Sequence, residues 1–425
     1  MNRKSLKDWT GTAAVIGADF GDSGKGRLID ELATRAHIVA RYNGGSNAGH
    51  TVKNKYGKFA LHIMPSGIFN PKTICLVGRG VAANLESLVL EMETVKKVGV
   101  SLQNLLIDEQ ATITMPWHLM RDGLREKLRK SKIGTTGSGV GPTYADRAER
   151  VGLRVKDLIS ANFKEKLFEE IKIQNKFFNL KLSGADIFKK YQNFAKMIKP
   201  YVGQTIAVVK RAQKEKKNIL FEGAQGFFLD IDSGTYPYVT SSNPGIVGIM
   251  RSFVVHPSEI DQVVGITKSY ITRVGEGPLP TELKGRLKDK IIERGHEYGT
   301  TTGRQRRPGW LDLVLIKAAI LDNKLTSLAL TKLDVLSNLP EIKICTLYKK
   351  ANKLFEYQSG DAEYLADCQP VYESLPGWSE DISGIRKFQS LPKNAQKFVK
   401  FIEKKIEVPV NFISVGPARG DAIYT

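Results

Sequence analysis

The sequence predicts an α/β fold: a large, mainly parallel central sheet with flanking helices and a P-loop-related frame, elaborated by helical and loop insertions. Three observations predict it. Short apolar runs alternate with longer helical patterns along the 425 residues. Several of these runs end in loops rich in Gly, Asn, Asp and Lys, as in an open parallel sheet, where ligand-binding loops follow the strand ends. The first run, Ala13 to Ile16, passes through Gly17-Ala18-Asp19-Phe20-Gly21-Asp22-Ser23-Gly24-Lys25-Gly26 into a helical pattern from Lys25 to Ala36. Strand, glycine loop and helix in that order wrap backbone N–H groups around an anion.

The remaining elements follow in order. Ala13–Gly17, His37–Arg41, Thr73–Val77, Asn218–Phe221, Gln262–Thr267 and Ser327–Thr331 read as buried strands, because each is a short, nearly continuous apolar run. The span 155–217 has helical patterning and reads as a helical insertion into the sheet. No repeat or low-complexity tract divides the chain, so residues 1–425 are expected to form one domain.

Composition narrows the class. Hydrophobic residues make up 41% and charged residues 25%, an ordinary balance for a soluble globular protein. No apolar run is long enough to span a bilayer, and the first residues lack a signal-peptide apolar core. Cys75, Cys345 and Cys368 are too few and too irregularly spaced for a disulfide framework or a zinc site, which fits a reducing cytoplasm. Lys and Arg number 64 against 44 Asp and Glu, a formal charge of +20. Such an excess suits nucleic acid or multiply anionic small substrates. No zinc finger, basic zipper or arginine–aromatic sheet motif is present, so nucleic acid is disfavoured. The lysines between Lys164 and Lys217 are interspersed with acids and read as a solvated helical surface.

The first loop departs from the usual P-loop, which would have Gly at position 19 and Ser or Thr at position 26. The hydroxyl that holds Mg²⁺ in that pattern is missing, so Asp22 is the candidate hard-oxygen ligand. Lys25 supplies a mobile positive charge. Asn47-Ala48-Gly49-His50-Thr51 places an imidazole among small residues, where it can exchange a proton near a ligand. Gly134-Thr135-Thr136-Gly137 offers hydroxyls and N–H groups to phosphate, and Arg147, Arg150 and Arg154 follow it. The segment Gly299-Thr300-Thr301-Thr302-Gly303-Arg304-Gln305-Arg306 can grip a small dicarboxylate. Thr331-Lys332-Leu333-Asp334 ends a strand and resembles the guanine-reading motif of GTP-binding proteins. One carboxylate there can accept from both guanine N1–H and the 2-amino group, which adenine lacks.

Taken together, these segments, with Phe221-Glu222-Gly223-Ala224-Gln225-Gly226, Thr235 to Asn243, Thr272-Arg273-Val274-Gly275 and Gly309-Trp310-Leu311-Asp312, resemble the adenylosuccinate synthetase family over nearly the whole chain. The resemblance implies GTP-dependent joining of IMP to L-aspartate through a 6-phosphoryl-IMP intermediate, with Mg²⁺ as cofactor. It implies that Asp22, His50 and Lys25 are catalytic, and that Asp22 and the Gly49 carbonyl hold the metal. GTP would be bound by Gly21, Ser23, Gly24, Lys25, Gly26, Arg27, Gly49, Thr51 and Arg306, with Lys332, Asp334, Ser414 and Gly416 surrounding guanine. IMP would be bound by Asp22, Lys25, Asn47, His50, Thr136, Arg150, Gln225, Thr240 and Arg304. L-Aspartate would meet Thr300, Thr301, Thr302, Arg304 and Arg306. Arg150 would reach the neighbouring subunit's IMP, making a homodimer functional.

The sequence departs from the family pattern at Ser23, Ser46, Ser138, Pro244 and Gln305. Two other readings are weighed against the first. One is a related synthetase joining aspartate to dGMP; the retained Asp22 favours IMP, because members with that activity carry a smaller residue there. The other is a non-catalytic GTP-binding protein, for which the pair Asp22 and His50 would be superfluous.

Overall fold

The computed structural model describes residues 6–299, 303–356 and 360–425. Its centre is a ten-stranded sheet. In chain order the strands are β1 (Thr12–Gly17), β2 (Ile38–Arg41), β3 (Ile74–Val77), β4 (Leu105–Asp108), β5 (Val202–Gly203), β6 (Ile219–Glu222), β7 (Gln262–Lys268), β8 (Ser327–Thr331), β9 (Val410–Ser414) and β10 (Ala422–Tyr424). Their spatial order is β10-β9-β8-β7-β1-β6-β2-β3-β4-β5. Every neighbouring pair is parallel except β9 and β10 at one edge.

All six strands expected from the sequence lie in this sheet, with ends shifted by a residue at most. The reason is burial on both faces. Ala14 and Ile16 of β1 pack into one core with Phe221, Phe253 and Leu330. Ala13 and Val15 pack into a second core with Leu28, Val39 and Leu220. A strand between two such layers needs apolar residues at every position, and that pattern is visible in sequence. The far strands β4 and β5 and the C-terminal pair β9 and β10 were not expected. β5 is two residues long and gives no periodic signal.

The first helix, α1, spans Lys25–Leu32, shorter than the Lys25–Ala36 pattern. The span 155–217 is mostly helical, with helices Val155–Leu158, Phe163–Phe178, Gly184–Ile198 and Thr205–Lys214. Besides its helices, the span delivers β5, which pairs with β4 at the sheet edge. Ile171, Ile187, Tyr191 and Ile198 of its helices join the second core, so its lysines occupy the opposite, solvated faces. No helix among the described residues is long and apolar enough to cross a membrane.

Candidate active site

Parallel pairing brings the loops after β1, β2, β6, β7, β8 and β9 to one edge of the sheet, on six neighbouring strands. This is the carboxyl edge, where open α/β sheets bind ligands. The loops carry Asp19 to Gly24, Asn47 to His50, Gln225, Lys332 with Asp334, and Ser414 with Gly416.

The first loop is held from within. Asp19 is buried and accepts from Gly21 N–H (2.7 Å), Ser23 Oγ (2.7 and 2.8 Å) and Thr267 Oγ1 (3.0 Å). Asp22 at φ 56° and Gly24 at φ 87° both take the left-handed conformation, which turns the chain into α1. Gly24 caps that helix without a side-chain acceptor, leaving first-turn N–H groups for an anion. A Cβ on Gly26 would come within 2.8 Å of the His50 Cβ, so only glycine allows the helix start to lie against the histidine. Lys25 is buried beside the loop; burial lowers its pKa, while Asp19 and Asp22 pull it up.

His50 is set by a buried carboxylate, Glu222, that is itself ion-paired with Arg41. Its Nδ1 bonds Glu222 Oε1, which also accepts from Ser66 Oγ (2.7 Å) and Arg41 Nη1 (3.2 Å). Glu222 Oε2 accepts from Ser66 N–H (2.8 Å). Burial, with the Arg41 cation alongside, lowers the imidazole to about 4 against the pull of Glu222. Burial alone would raise Glu222, but His50, Arg41 and Ser66 hold it down at about 2. The pair is therefore a neutral imidazole giving Nδ1–H to a carboxylate, which fixes the ring and its tautomer. His50 Nε2 is left buried and without a partner.

Asp22 meets Arg306, whose Nε donates to Asp22 Oδ2 at 2.9 Å. Arg306 also donates to Glu297 Oε2 at 2.8 Å. At the other end of the cleft, Asp334 Oδ1 is buried with no hydrogen-bond partner. Burial raises its pKa against the pull of Lys332, Arg27 and Arg294. Arg27 links α1 to the C-terminal loop through Ser414 Oγ and the Gly416 carbonyl (2.7 Å). Its own Nε and Nη2 stay buried and unpaired.

The other expected residues divide. Asn47 Nδ2 donates to Thr240 Oγ1 at 3.3 Å, and Gln225 Nε2 is buried without a partner. Arg304 is exposed and donates to the Gly134 carbonyl at 3.2 Å, tying two glycine loops together. Ser23 uses its hydroxyl on Asp19, and its carbonyl accepts from Thr331 Oγ1 (2.9 Å), so its side chain shapes the loop instead of facing outward. Lys332 turns to Gly295 O (2.6 Å) and Glu297 Oε1 (2.7 Å). Thr136 is exposed and bonded to Ser138 Oγ at 2.6 Å. Thr51 is exposed on the hairpin His50–Asn54. Arg150 ends the helix Val140–Glu149, exposed, beside cavities of about 260 and 200 Å³ whose linings include Arg79, Arg147 and Arg154. The first cavity is lined by Arg79 and Gln110, on the loops after β3 and β4, so it lies along the same sheet edge, away from the Asp334 end. Thr300, Thr301 and Thr302 fall outside the described residues.

Sequence reasoning did not place Arg41, Glu222, Asp19, Lys268 or Glu297 in the site. For the first two a signal existed: each is a charge closing an otherwise apolar strand, and both are fully buried. A buried charge must be paired, so two such residues on neighbouring strands point to each other.

Among the described residues no three His, Cys, Asp or Glu side chains cluster to cage a metal. Mg²⁺ needs no such cage; it is commonly held by one or two carboxylates with substrate phosphates. The donor set fits that arrangement. Asp22 is a hard oxygen ligand with its side chain 31% exposed, in the loop that would hold the phosphates.

The sheet order, glycine loop, buried unpartnered carboxylate and fixed imidazole define a nucleotide-binding α/β enzyme of P-loop-related architecture. The adenylosuccinate synthetase family model matches residues 14–423. An adenylosuccinate synthetase of Halothermothrix orenii is 48% identical over 97% of this chain and 98% of its own. One of Caldanaerobacter subterraneus is 46% identical over 96% and 98%. The fully ligated adenylosuccinate synthetase of Plasmodium falciparum superposes with a TM-score of 0.93 at 37% identity, covering 98% of this chain and all of that one. The chain belongs to the adenylosuccinate synthetase family. A cyanophage S-2L succinoaminodeoxyadenylate synthetase bound to dGMP and dATP shares the fold at a TM-score of 0.64 and 16% identity.

Proposed function

We infer that this enzyme joins IMP to L-aspartate at the expense of GTP, forming adenylosuccinate, GDP and phosphate on the route to AMP. The observation that carries this reading is the buried, unpaired Asp334 oxygen on the same sheet edge as Asp22 and the fixed His50. A guanine-reading carboxylate alone would serve any GTP-binding protein. An acid–base pair beside the phosphate loop is needed only where a bond is made.

The purine 6-oxo group leaves poorly, and phosphorylation makes it a good leaving group. Asp22 takes the N1 proton of IMP, which raises electron density on O6 for attack on the γ-phosphate. His50 faces the developing charge through Nε2. The ring is neutral in the free enzyme, so Nε2 takes a proton from solvent water as the phosphates arrive before it can donate one. Arriving phosphates and the Glu222 carboxylate both favour that imidazolium. Lys25 neutralises phosphate charge. The aspartate amine then displaces phosphate at C6. Asp22 and the Gly49 carbonyl would hold Mg²⁺, which would supply further neutralisation of phosphate charge. For Asp22 to serve, the Arg306 contact opens or shifts.

Asn47, Gln225, Thr240, Thr136 and Arg304 hold IMP in this reading, and the loop at 300–306 holds L-aspartate. Arg150 reaches the IMP phosphate of a second copy, so the working unit is a homodimer. Its exposure and its place in a cavity beside Arg147, Arg154 and Lys156, a setting for an anionic phosphate, support that role. The enzyme works in the cytoplasm. Phosphate release from GTP tests the reading: it should require L-aspartate and proceed with IMP but not dGMP. Equal rates with dGMP would overturn the choice of nucleotide, and release without aspartate would overturn the ligase assignment.

A further inference from the structure

Glu297 is a fully buried carboxylate marked by no motif. It follows the helix Gly285–Gly295, whose cap residue His296 is left-handed at φ 47°. Its carbonyl accepts from Arg306 N–H at 2.9 Å, and Tyr298 pairs with Gln305 next to it, so the backbone at 297–298 is tied to that at 305–306. Its side chain gathers cations from three separate elements. Oε2 accepts from Arg306 Nη1 at 2.8 Å, and Oε1 from Lys332 Nζ at 2.7 Å. Lys268 Nζ, at the end of β7, sits between the two oxygens at 3.3 and 3.2 Å. Tyr270 Oη donates to Oε1 at 2.5 Å. Burial would raise this carboxyl, but Lys268, Lys332 and Arg306 hold it far below the usual range.

Two of these cations border the two ends of the cleft. Arg306 touches Asp22 directly, and Lys332 lies two residues from Asp334. We propose that Glu297 is a positioning residue that sets Arg306 and Lys332 together, so that the guanine end and the dicarboxylate end of the site are energetically coupled. The inference rests on the function proposed above. One carboxylate cannot hold either cation independently of the other. A ligand that draws Lys332 away leaves Glu297 to grip Arg306 harder, and an incoming carboxylate at Arg306 does the converse. Such coupling is reciprocal by thermodynamic necessity. It takes place in a buried site, where like-charge repulsion among three cations is weakly screened.

The test is GDP affinity by calorimetry, with and without saturating L-aspartate in the presence of IMP, for the wild type and Glu297→Gln. The wild type should bind GDP about fivefold or more weakly on adding L-aspartate, and tighter binding would contradict the shared grip. In Glu297→Gln that change should shrink to within about twofold, the coupling being lost. The KM values for GTP and L-aspartate should both rise about tenfold while that for IMP stays within about twofold, because IMP touches neither cation held by Glu297. If Glu297→Gln fails to fold, Lys268→Met/Glu297→Gln removes a cation with the anion, and the same pattern is expected of it. Coupling that persists in the variant, coupling absent from the wild type, or all three KM values moving together would overturn the proposal. Wild-type protein without aspartate-dependent phosphate release would instead overturn the underlying functional reading.

Discussion

The two ends of the cleft are built in opposite ways. At the His50 end the polar atoms behind the ring are committed: Glu222 serves His50, Arg41 and Ser66, and only Nε2 is left over. At the Asp334 end the oxygen proposed to read guanine is buried with no donor among the described residues. The contrast follows from the tasks. A group in the chemical step gains from being oriented before the substrate arrives, since no reorganisation is then needed. A group that discriminates gains from being left unsatisfied, since the wrong base leaves a buried acceptor unpaired.

The comparison can be broken from the catalytic end first. Asp22→Asn should lower turnover by about 10³-fold or more while GDP and IMP still bind. Substantial residual turnover in a folded variant would remove Asp22 as the base. Glu222→Gln should lower kcat by about 10- to 100-fold with smaller changes in KM, because it unfixes a ring without removing it. It should also lower stability by about 3–5 kcal/mol, since Arg41 is left buried without its carboxylate. A variant with wild-type kcat would show that the committed end is not needed.

The guanine end gives the next effect. Asp334→Asn presents an amide donor toward guanine donors, and GTP-over-ATP selectivity measured as kcat/KM should fall by about 10- to 100-fold. Unchanged selectivity would reject Asp334 as the reader. The smallest effect is on stability with pH. The folded His50 titrates at about 4 against an ordinary 6.5, so between those values the unfolded chain binds the extra proton. Its contribution to stability is therefore constant above pH 6.5 and is lost as pH falls toward 4. Glu91 and Asp312 are raised to about 7 by burial and act in the opposite sense as pH rises from 4.5 or 3.8 toward that value. The clean readout is thus the difference in thermal midpoint between wild type and His50→Asn across pH 7 to 5, which should narrow as pH falls. A gap that widens would contradict the neutral imidazole.

The same contrast explains what the sequence made legible. The central strands were readable because Ala13 to Ile16, Ile38 to Ala40 and Leu328 to Leu330 are buried on both faces. The loops were readable because glycines and short polar residues cluster at those strand ends. The supports behind the loops were not. Arg41 and Glu222 are 181 positions apart, and Glu297 and Lys332 are 35 apart, so nothing local announces either pair. Ser23 illustrates the same gap in reverse. Its place in the motif suggested an outward role, while its hydroxyl is spent on Asp19, a partner set by the turn itself. β5 stayed hidden because a two-residue edge strand after a helical stretch has no period of its own.

The most direct test of this account is the protonation state of His50 in the free enzyme, followed by nitrogen NMR of histidine-labelled protein. The account predicts a neutral ring at pH 7, protonated on Nδ1, that titrates at about 4. A His50 that is charged at pH 7 without substrates, or that carries its proton on Nε2, would contradict it.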